Sequence, residues 1–222
     1  MNNLNDPLFD KVLKVRNTIL ELLEDRGVDR ELLPFEMNYT YIKYMIDEFI
    51  SGKPTLDMLV RDKNKSFYVK YLLHLEKKTS QTDYGGFKEM VNVISESNRF
   101  SKNDDIILVI FDEDYNKDSN KERIKEVEKD MNSNVTLFFY KSLLFNISKH
   151  RFVPPHKRLD SDERKRLLKS LMIKKEEAKE KLPIISRFDP VCKYYGFKRG
   201  DVLSINRATI FSIIHTGYRL VV

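Results

Sequence analysis

The chain has 222 residues, of which 41% are apolar and 11% aromatic, enough to build one large core or two modest ones. A single cysteine closes no disulfide within the chain, which excludes a disulfide-stapled module and points to a reducing compartment. Lys and Arg number 40 against 34 Asp and Glu, net +6 with an isoelectric point near 9.1, and the signs are mixed along the chain. No apolar run approaches the roughly 18 residues of a membrane span, and the opening residues have neither the basic nor the apolar part of a signal peptide, so a soluble protein is expected.

Phe9, Val12, Leu13, Ile19, Leu20 and Leu23 recur at three- and four-residue intervals and predict a first helix that stops at Gly27. Arg16 falls inside this apolar stripe and needs a carboxylate or carbonyl partner, supplied by its own chain or by another. A second helix carries Ile42, Met45, Ile46 and Phe49 and ends at Ser51-Gly52-Lys53-Pro54. Leu56 to Val60 and Ser66 to His74 then read as strands around a polar turn from Arg61 to Lys65. Phe87 to Ser97 reads as a helix, and Ile106 to Phe111 as a strand covered on both faces. A charged helix over Lys121 to Met131 leads to a strand at Val135 to Tyr140 and a short helix at Lys141 to Ile147. This order predicts a small, partly parallel sheet flanked by helices.

Near Lys149 the texture changes. Pro154-Pro155 cannot continue a helix, and the remaining residues are strongly punctuated. Asp160 with Glu163 has capping-box spacing and opens a helix to about Met172. Asp189-Pro190 caps a second, short helix that Gly196 ends and on which Cys192 reads as a small buried side chain. Lys198-Arg199-Gly200-Asp201 reads as a turn between strands, followed by a strand at Val202 to Ile205. The apolar Tyr218 to Val222 is expected in a sheet or under a partner. The split therefore falls into two domains, residues 1–147 and 148–222. Residues 1–146 carry 22 basic and 26 acidic groups, net −4, whereas 147–222 carry 18 and 8, net +10.

Chemistry is sparse. No glycine-rich phosphate loop follows a strand, and Cys192, His74, His150, His156 and His215 lack zinc-ligand spacing. Asp57 followed by Glu76-Lys77-Lys78 has the outline of a magnesium-dependent nuclease, but Glu76 and Lys78 fall beyond the apolar part of their strand. The basic run Arg164-Lys165-Arg166, Lys169, Lys174-Lys175, Lys179 and Lys181 is interspersed with six acids and reads as a solvated helix face rather than as a phosphate-binding one.

Several motifs together carry a resemblance. His150-x-x-Val153-Pro154-x-His156, Leu182-Pro183-x-Ile185, Asp189-Pro190-Val191-x-x-Tyr194-Tyr195-Gly196-x-Lys198-Arg199-Gly200-x-Val202, Arg207 and Tyr218-Arg219-Leu220-Val221 resemble the fifth subunit shared by eukaryotic nuclear RNA polymerases, whose C-terminal half corresponds to a small archaeal RNA polymerase subunit known as H. Lys14-Val15-Arg16-x-Thr18-Ile19 and Asp25-Arg26-Gly27 are similar to the opening helix of that family. The resemblance implies mixed α/β and α+β classes: an N-terminal jaw similar to a restriction-endonuclease fold without its active site, and a small α+β C-terminal assembly domain. It also implies a non-catalytic role in a DNA-directed RNA polymerase, with no cofactor in this chain and magnesium held by the two largest subunits. The implied partners are the largest subunit, a sixth-subunit homologue and downstream duplex DNA, the last touched locally by the jaw, with no membrane.

By matched position, the resemblance assigns His150, Pro154 and His156 to the interdomain entry and Lys198, Arg199, Arg207, Tyr218 and Arg219 to a basic and aromatic contact surface; these, with Arg16 from its place in the apolar stripe, are the expected partner-binding residues. It assigns Asp189 and Pro190 to a helix start, and Gly196 and Gly200 to tight turns. After Arg207 the apolar Ala208 to His215 departs from the glycine-containing loop usual in the family. That divergence and the Lys- and Asn-rich composition suit a fast-evolving lineage such as a large DNA virus. The expected location is the nucleus for a cellular protein and the virion or virus factory for a viral one. Alternative readings are a free-standing nucleic-acid-binding protein and a magnesium-dependent nuclease.

Overall fold

The computed structural model describes residues 7–35, 37–62, 65–73, 104–111, 135–208 and 214–222. The chain divides into two compact units, Met1–Phe145 and Asn146–Val222.

In the first unit, helix α1 (Pro7–Asp25) buries Val12, Val15, Ile19, Leu20, Leu22 and Leu23. It ends where Gly27, at φ 93°, turns the chain left-handed, so that Gly27 N–H reaches Glu24 O (2.8 Å) and Val28 N–H reaches Leu23 O (3.0 Å). This is a Schellman closure, which satisfies carbonyls that the helix leaves open. Helix α2 (Tyr39–Ile50) is capped by the Asn38 side chain, which accepts from Thr40 N–H at 2.8 Å, and it buries Ile42, Ile46 and Phe49. Strands β1 (Met58–Asp62), β2 (Lys65–Leu72), β3 (Asp105–Ile110) and β4 (Val135–Phe139) form one sheet in that order. β1 runs antiparallel to β2, while β2, β3 and β4 are parallel. Every residue of β3 is buried, as a central parallel strand requires. An aromatic seam couples α2 to the sheet: Phe49 meets Tyr71 and Phe111 edge-on, with ring centroids 6.2 and 5.6 Å away, and Phe111 stacks on Tyr140 at 5.2 Å.

Three expectations for this unit need correction. Leu56 and Asp57 precede β1, and the polar Arg61, Asp62 and Lys65 belong to the ladder, with Arg61 opposite Ser66 and Asp62 opposite Lys65. Among the described residues β1 is an edge strand, and its Leu59 and Arg61 are exposed, so its end carries charge without leaving the sheet. Lys141 to Ile147 is not an α-helix: a 3-10 turn covers Tyr140–Leu143 and a second covers Ile147–Lys149. Between them the Asn146 side chain accepts from Ser148 N–H at 2.8 Å, a local bond that competes with helix continuation. The expected helices at 87–97 and 121–131, together with His74, Glu76 and Lys78, lie outside the described residues.

In the second unit, strands β5 (His156–Arg158), β6 (Ile184–Ile185), β7 (Val202–Ala208) and β8 (Ile214–Val221) form a sheet of order β5-β7-β8-β6. β7 is antiparallel to both β5 and β8, and β6 is parallel to β8. Helices α3 (Ser161–Ser170) and α4 (Ala178–Lys181) cover one face, where Leu167, Leu168, Ala178 and Leu182 pack on Val202 and Leu220. Helix α5 (Pro190–Tyr195) covers the other, where Cys192 packs with Ile185, Leu203 and Val221. The sequence fits these covers locally. Asp160 Oδ1 accepts from Asp162 and Glu163 N–H, both at 2.8 Å, and Glu163 accepts from Asp160 N–H at 3.0 Å, completing the capping box. Asp189 accepts from Val191 N–H at 2.9 Å, Pro190 takes the first turn, and Gly196 closes the helix at φ 66°. The turn from Lys198 to Asp201 leads from α5 into β7, not from strand to strand, and β7 extends past Ile205 to Ala208. The apolar end of the chain lies in the sheet, with Val222 N–H bonded to Ile185 O at 2.9 Å.

Candidate functional site

Alternation along the strands decides which charged groups meet. In the antiparallel ladders His156 lies opposite Ile205, Arg207 opposite His215 and Arg219 opposite Leu203. These positions share the face that α5 covers, because residues two apart on a strand point the same way and opposed residues point together. His156 is half-buried on the edge strand, and its Nδ1 donates to Pro154 O at 2.6 Å. That bond puts the ring proton on Nδ1 and leaves Nε2 as an acceptor. Desolvation pushes the His156 pKa below its ordinary 6.5, against the Pro154 bond and the Asp189 carboxylate, while the Arg207 and Arg219 charges add to the lowering. Arg219 also donates through Nη1 to Ile184 O at 3.3 Å, tying β8 to β6. Four of the expected residues, His156, Asp189, Arg207 and Arg219, therefore form one electrostatic group.

A half-buried imidazole with a lowered pKa has a consequence for stability. Because the folded-state pKa is depressed, the unfolded chain binds the extra proton first; the contribution of His156 is complete above about pH 6.5 and is lost as pH falls through the folded pKa. The carboxylates of Asp160, Glu163 and Glu177, lowered by their hydrogen bonds, act in the same direction at lower pH, below 4.5. Thermal melting from pH 7.5 to 5 is expected to show the histidine's share, and His156→Asn, which keeps a donor for Pro154 O, flattens it. An unchanged slope in the variant would remove His156 as the cause.

The other expected contacts are distributed differently. Lys198 donates its backbone N–H to the Asp201 carboxylate at 2.8 Å, and Arg199 is exposed on the same turn; Gly200, at φ 90°, offers its carbonyl to Arg164 Nη1 at 3.0 Å. His150 is exposed, accepts from Phe152 N–H at 3.3 Å and has its ring 5.8 Å from that of Phe152, which is 79% exposed. Tyr218 does not join Arg219 in an aromatic and basic patch. Adjacent strand residues face opposite sides, and Tyr218 packs against the Leu167, Leu168 and Val202 core beneath α3.

Arg16 is also not a surface contact of its unit. It is 2% exposed, and its Nη2 donates to Pro34 O at 2.7 Å and to Met37 Sδ at 3.2 Å. Burial lowers its pKa from the usual guanidinium value. Its partner is thus a carbonyl from the connection between α1 and α2, and no ion pair to Arg16 occurs among the described residues. Arg16→Leu is expected to lower the melting point of the N-terminal unit, with about 1 to 3 kcal/mol lost because Pro34 O goes without its donor, and to leave binding to any partner unchanged. Weakened binding with unchanged melting would restore the intermolecular reading.

Asp57, the described member of the nuclease outline, is engaged within its own unit. Its Oδ1 accepts from Tyr71 N–H at 2.9 Å, and its Oδ2 lies 3.2 Å from Lys70 Nζ and 3.3 Å from Tyr68 Oη. The carboxylate clasps the connection before β1 to β2, and burial together with Asp57 pushes the Tyr68 hydroxyl up to about 12. The Cys192 thiol is fully buried and also raised to about 12, chiefly by desolvation, the opposite of a nucleophile's environment. Sequence reasoning missed one charged cluster: Asp105, at the start of β3, lies 3.3 Å from Arg26 and 2.6 Å from Lys65. The adjacent Asp104 accepts from Ser66 N–H at 2.8 Å. The Asp-Asp pair directly before an apolar run was its only signal.

Comparison with known proteins decides the family. The model of the RNA polymerase Rpb5 C-terminal domain matches residues 145–221. The DNA-directed RNA polymerase subunit Rpo5 of Archaeoglobus fulgidus is 40% identical over 78 residues, which is 35% of this chain and 97% of the archaeal protein. The chain belongs to the Rpb5 family of RNA polymerase subunits. The rpabc1 subunit of DNA-directed RNA polymerases I, II and III of Dictyostelium discoideum is similar over nearly the whole length, with 26% identity over 218 residues, 96% of this chain and 98% of that protein. Subunit 5B of RNA polymerases IV and V from Arabidopsis thaliana is 37% identical over 87 residues, 39% of this chain. The match spans only 38% of that plant protein's length. The Rpb5 similarity is therefore concentrated in the unit that holds His156, Asp189, Arg207 and Arg219.

Proposed function

We propose that this Rpb5-family chain is a non-catalytic subunit of a multisubunit DNA-directed RNA polymerase. The observations that carry the reading are the family match over residues 145–221 and the similarity to an archaeal polymerase subunit over 97% of that subunit's length. The C-terminal unit has net charge +10. Its Arg207 and Arg219, held around a neutral His156, suit an acidic face of a larger subunit, to which the charge draws it and on which the fixed side chains select register. The largest subunit and a sixth-subunit homologue are the partners this reading names. The N-terminal unit, net −4, takes the part of a jaw with a restriction-endonuclease-like fold that touches downstream DNA locally, not by bulk attraction. Nucleotidyl transfer and its magnesium belong to the two largest subunits, and the nucleus is the expected location in a cellular setting.

Purification of the native protein from its source, followed by mass spectrometry of what accompanies it, tests the reading. Stoichiometric recovery of the two largest polymerase subunits is expected. Recovery of the chain alone, with tight, salt-dependent binding to duplex DNA, would favour a free-standing nucleic-acid-binding protein instead.

A further inference from the structure

The C-terminal unit carries a pocket on the outer side of α3 that the proposed assembly role does not use. Its origin is the way α3 ends. Met172 N–H bonds to Lys169 O (3.1 Å) and Ile173 N–H to Leu168 O (2.9 Å), the same Schellman closure as at Gly27. Here the left-handed position is held by a methionine, Met172 at φ 55°, a conformation that is easy for glycine and that L-residues other than asparagine and aspartate rarely adopt. The closure folds Ile173 back over Leu168, and the two make the floor of a pocket of about 420 Å³. Arg164, Lys165, Lys169 and Lys175 line it. Arg164 is held by Gly200 O and Lys165 lies 3.3 Å from Asp162, whereas Lys169 and Lys175 are exposed and make no ion pair among the described residues. In the closure that precedes Ile173, Leu171 is 47% and Met172 89% exposed.

We propose that this pocket docks an acidic peptide segment of a partner protein, one that inserts a single large apolar side chain against Leu168 and Ile173 and sets flanking carboxylates on Lys165, Lys169 and Lys175. The apolar floor distinguishes this occupant from a nucleic acid, whose phosphates satisfy the rim and leave the floor empty. The pocket lies over the Val202 and Leu220 side of the sheet, opposite His156, Arg207 and Arg219, so the two surfaces are separable and peptide docking does not depend on the polymerase reading.

The test is fluorescence anisotropy of the full chain with a fluorescein-labelled peptide in which one phenylalanine is flanked on each side by glutamates. Saturable binding is expected. Replacing the peptide's phenylalanine by alanine weakens it about thirtyfold, the worth of burying one such ring. Lys169→Glu with Lys175→Glu weakens it about tenfold or more, with unchanged melting because both side chains are in solvent, and Arg207→Glu leaves it intact. Absence of saturation at millimolar peptide overturns the proposal. So does equal affinity for the alanine peptide, which reduces the effect to bulk charge. Duplex DNA binding that the two lysine reversals abolish, without peptide binding, also overturns it.

Discussion

Asp105→Ala is expected to destabilise the N-terminal unit by about 3 to 5 kcal/mol, the loss typical when one member of a buried ion pair is removed. The Arg26 and Asp105 side chains are only 3% and 6% exposed, so the guanidinium cannot recover in water the charge it loses. Arg26 follows the last turn of α1, where a cation also favours the helix dipole, and Asp105 opens β3; the pair fastens helix to sheet. Lys65, 31% exposed, can turn outward when the carboxylate goes and so adds little to the loss. Arg26→Met combined with Asp105→Leu should recover most of the stability, because removing both charges also removes the cost of desolvating them. Chemical denaturation that follows the N-terminal transition separately from the C-terminal one measures both variants. A loss below about 1 kcal/mol in Asp105→Ala would mean that the carboxylate is solvated in the folded state.

Arg207→Glu together with Arg219→Glu is expected to weaken assembly more than a hundredfold, about 3 kcal/mol, if this face meets acidic groups of a larger subunit. Reversal replaces attraction by repulsion at two points on one face, which a screened, single rim charge cannot match. The effect should shrink at high salt. Since Arg219 also bonds to Ile184 O, Arg219→Gln serves as the control that keeps a donor between β8 and β6 while removing charge. Assembly unaffected by the double reversal would move the contact to the turn bearing Lys198 and Arg199 or to exposed His150 and Phe152.

The features legible in the sequence are those whose partners are close in the chain. Asp160 and Glu163, three residues apart, and Asp189 with Pro190 and Gly196 specify helix ends through local bonds that spacing alone foretells. The apolar run before Phe111 reads correctly because a doubly covered strand needs no alternation. Arg16 is conspicuous in an apolar stripe, yet its acceptor, Pro34 O, sits in a connection without periodicity. Asp105 finds Arg26 and Lys65 across 79 and 40 residues, separations over which spacing says nothing. β5 and β6, three and two residues long, are too short to show a period, and without β5 the sharing of one face by His156 and Arg207 cannot be read. Tyr218 and Arg219 fall into one group in a motif because motifs run along the chain, whereas a strand sends neighbours to opposite sides.

The placement of β8 between β7 and β6 also sets a timetable. β6 leaves the ribosome well before β8, yet its sheet partner is β8: Ile184 pairs with Leu220 and Ile185 with Val221. β5 and β7 can join as an early pair, but neither they nor α5 can enclose Leu203 until Val221 has been made. The C-terminal unit should therefore complete its core only once β8 has been made, in a late step that waits on that strand. Until β8 is in place the apolar faces of α3 and β7 lack the strand that covers them, so this unit folds around a contact between segments far apart in the chain.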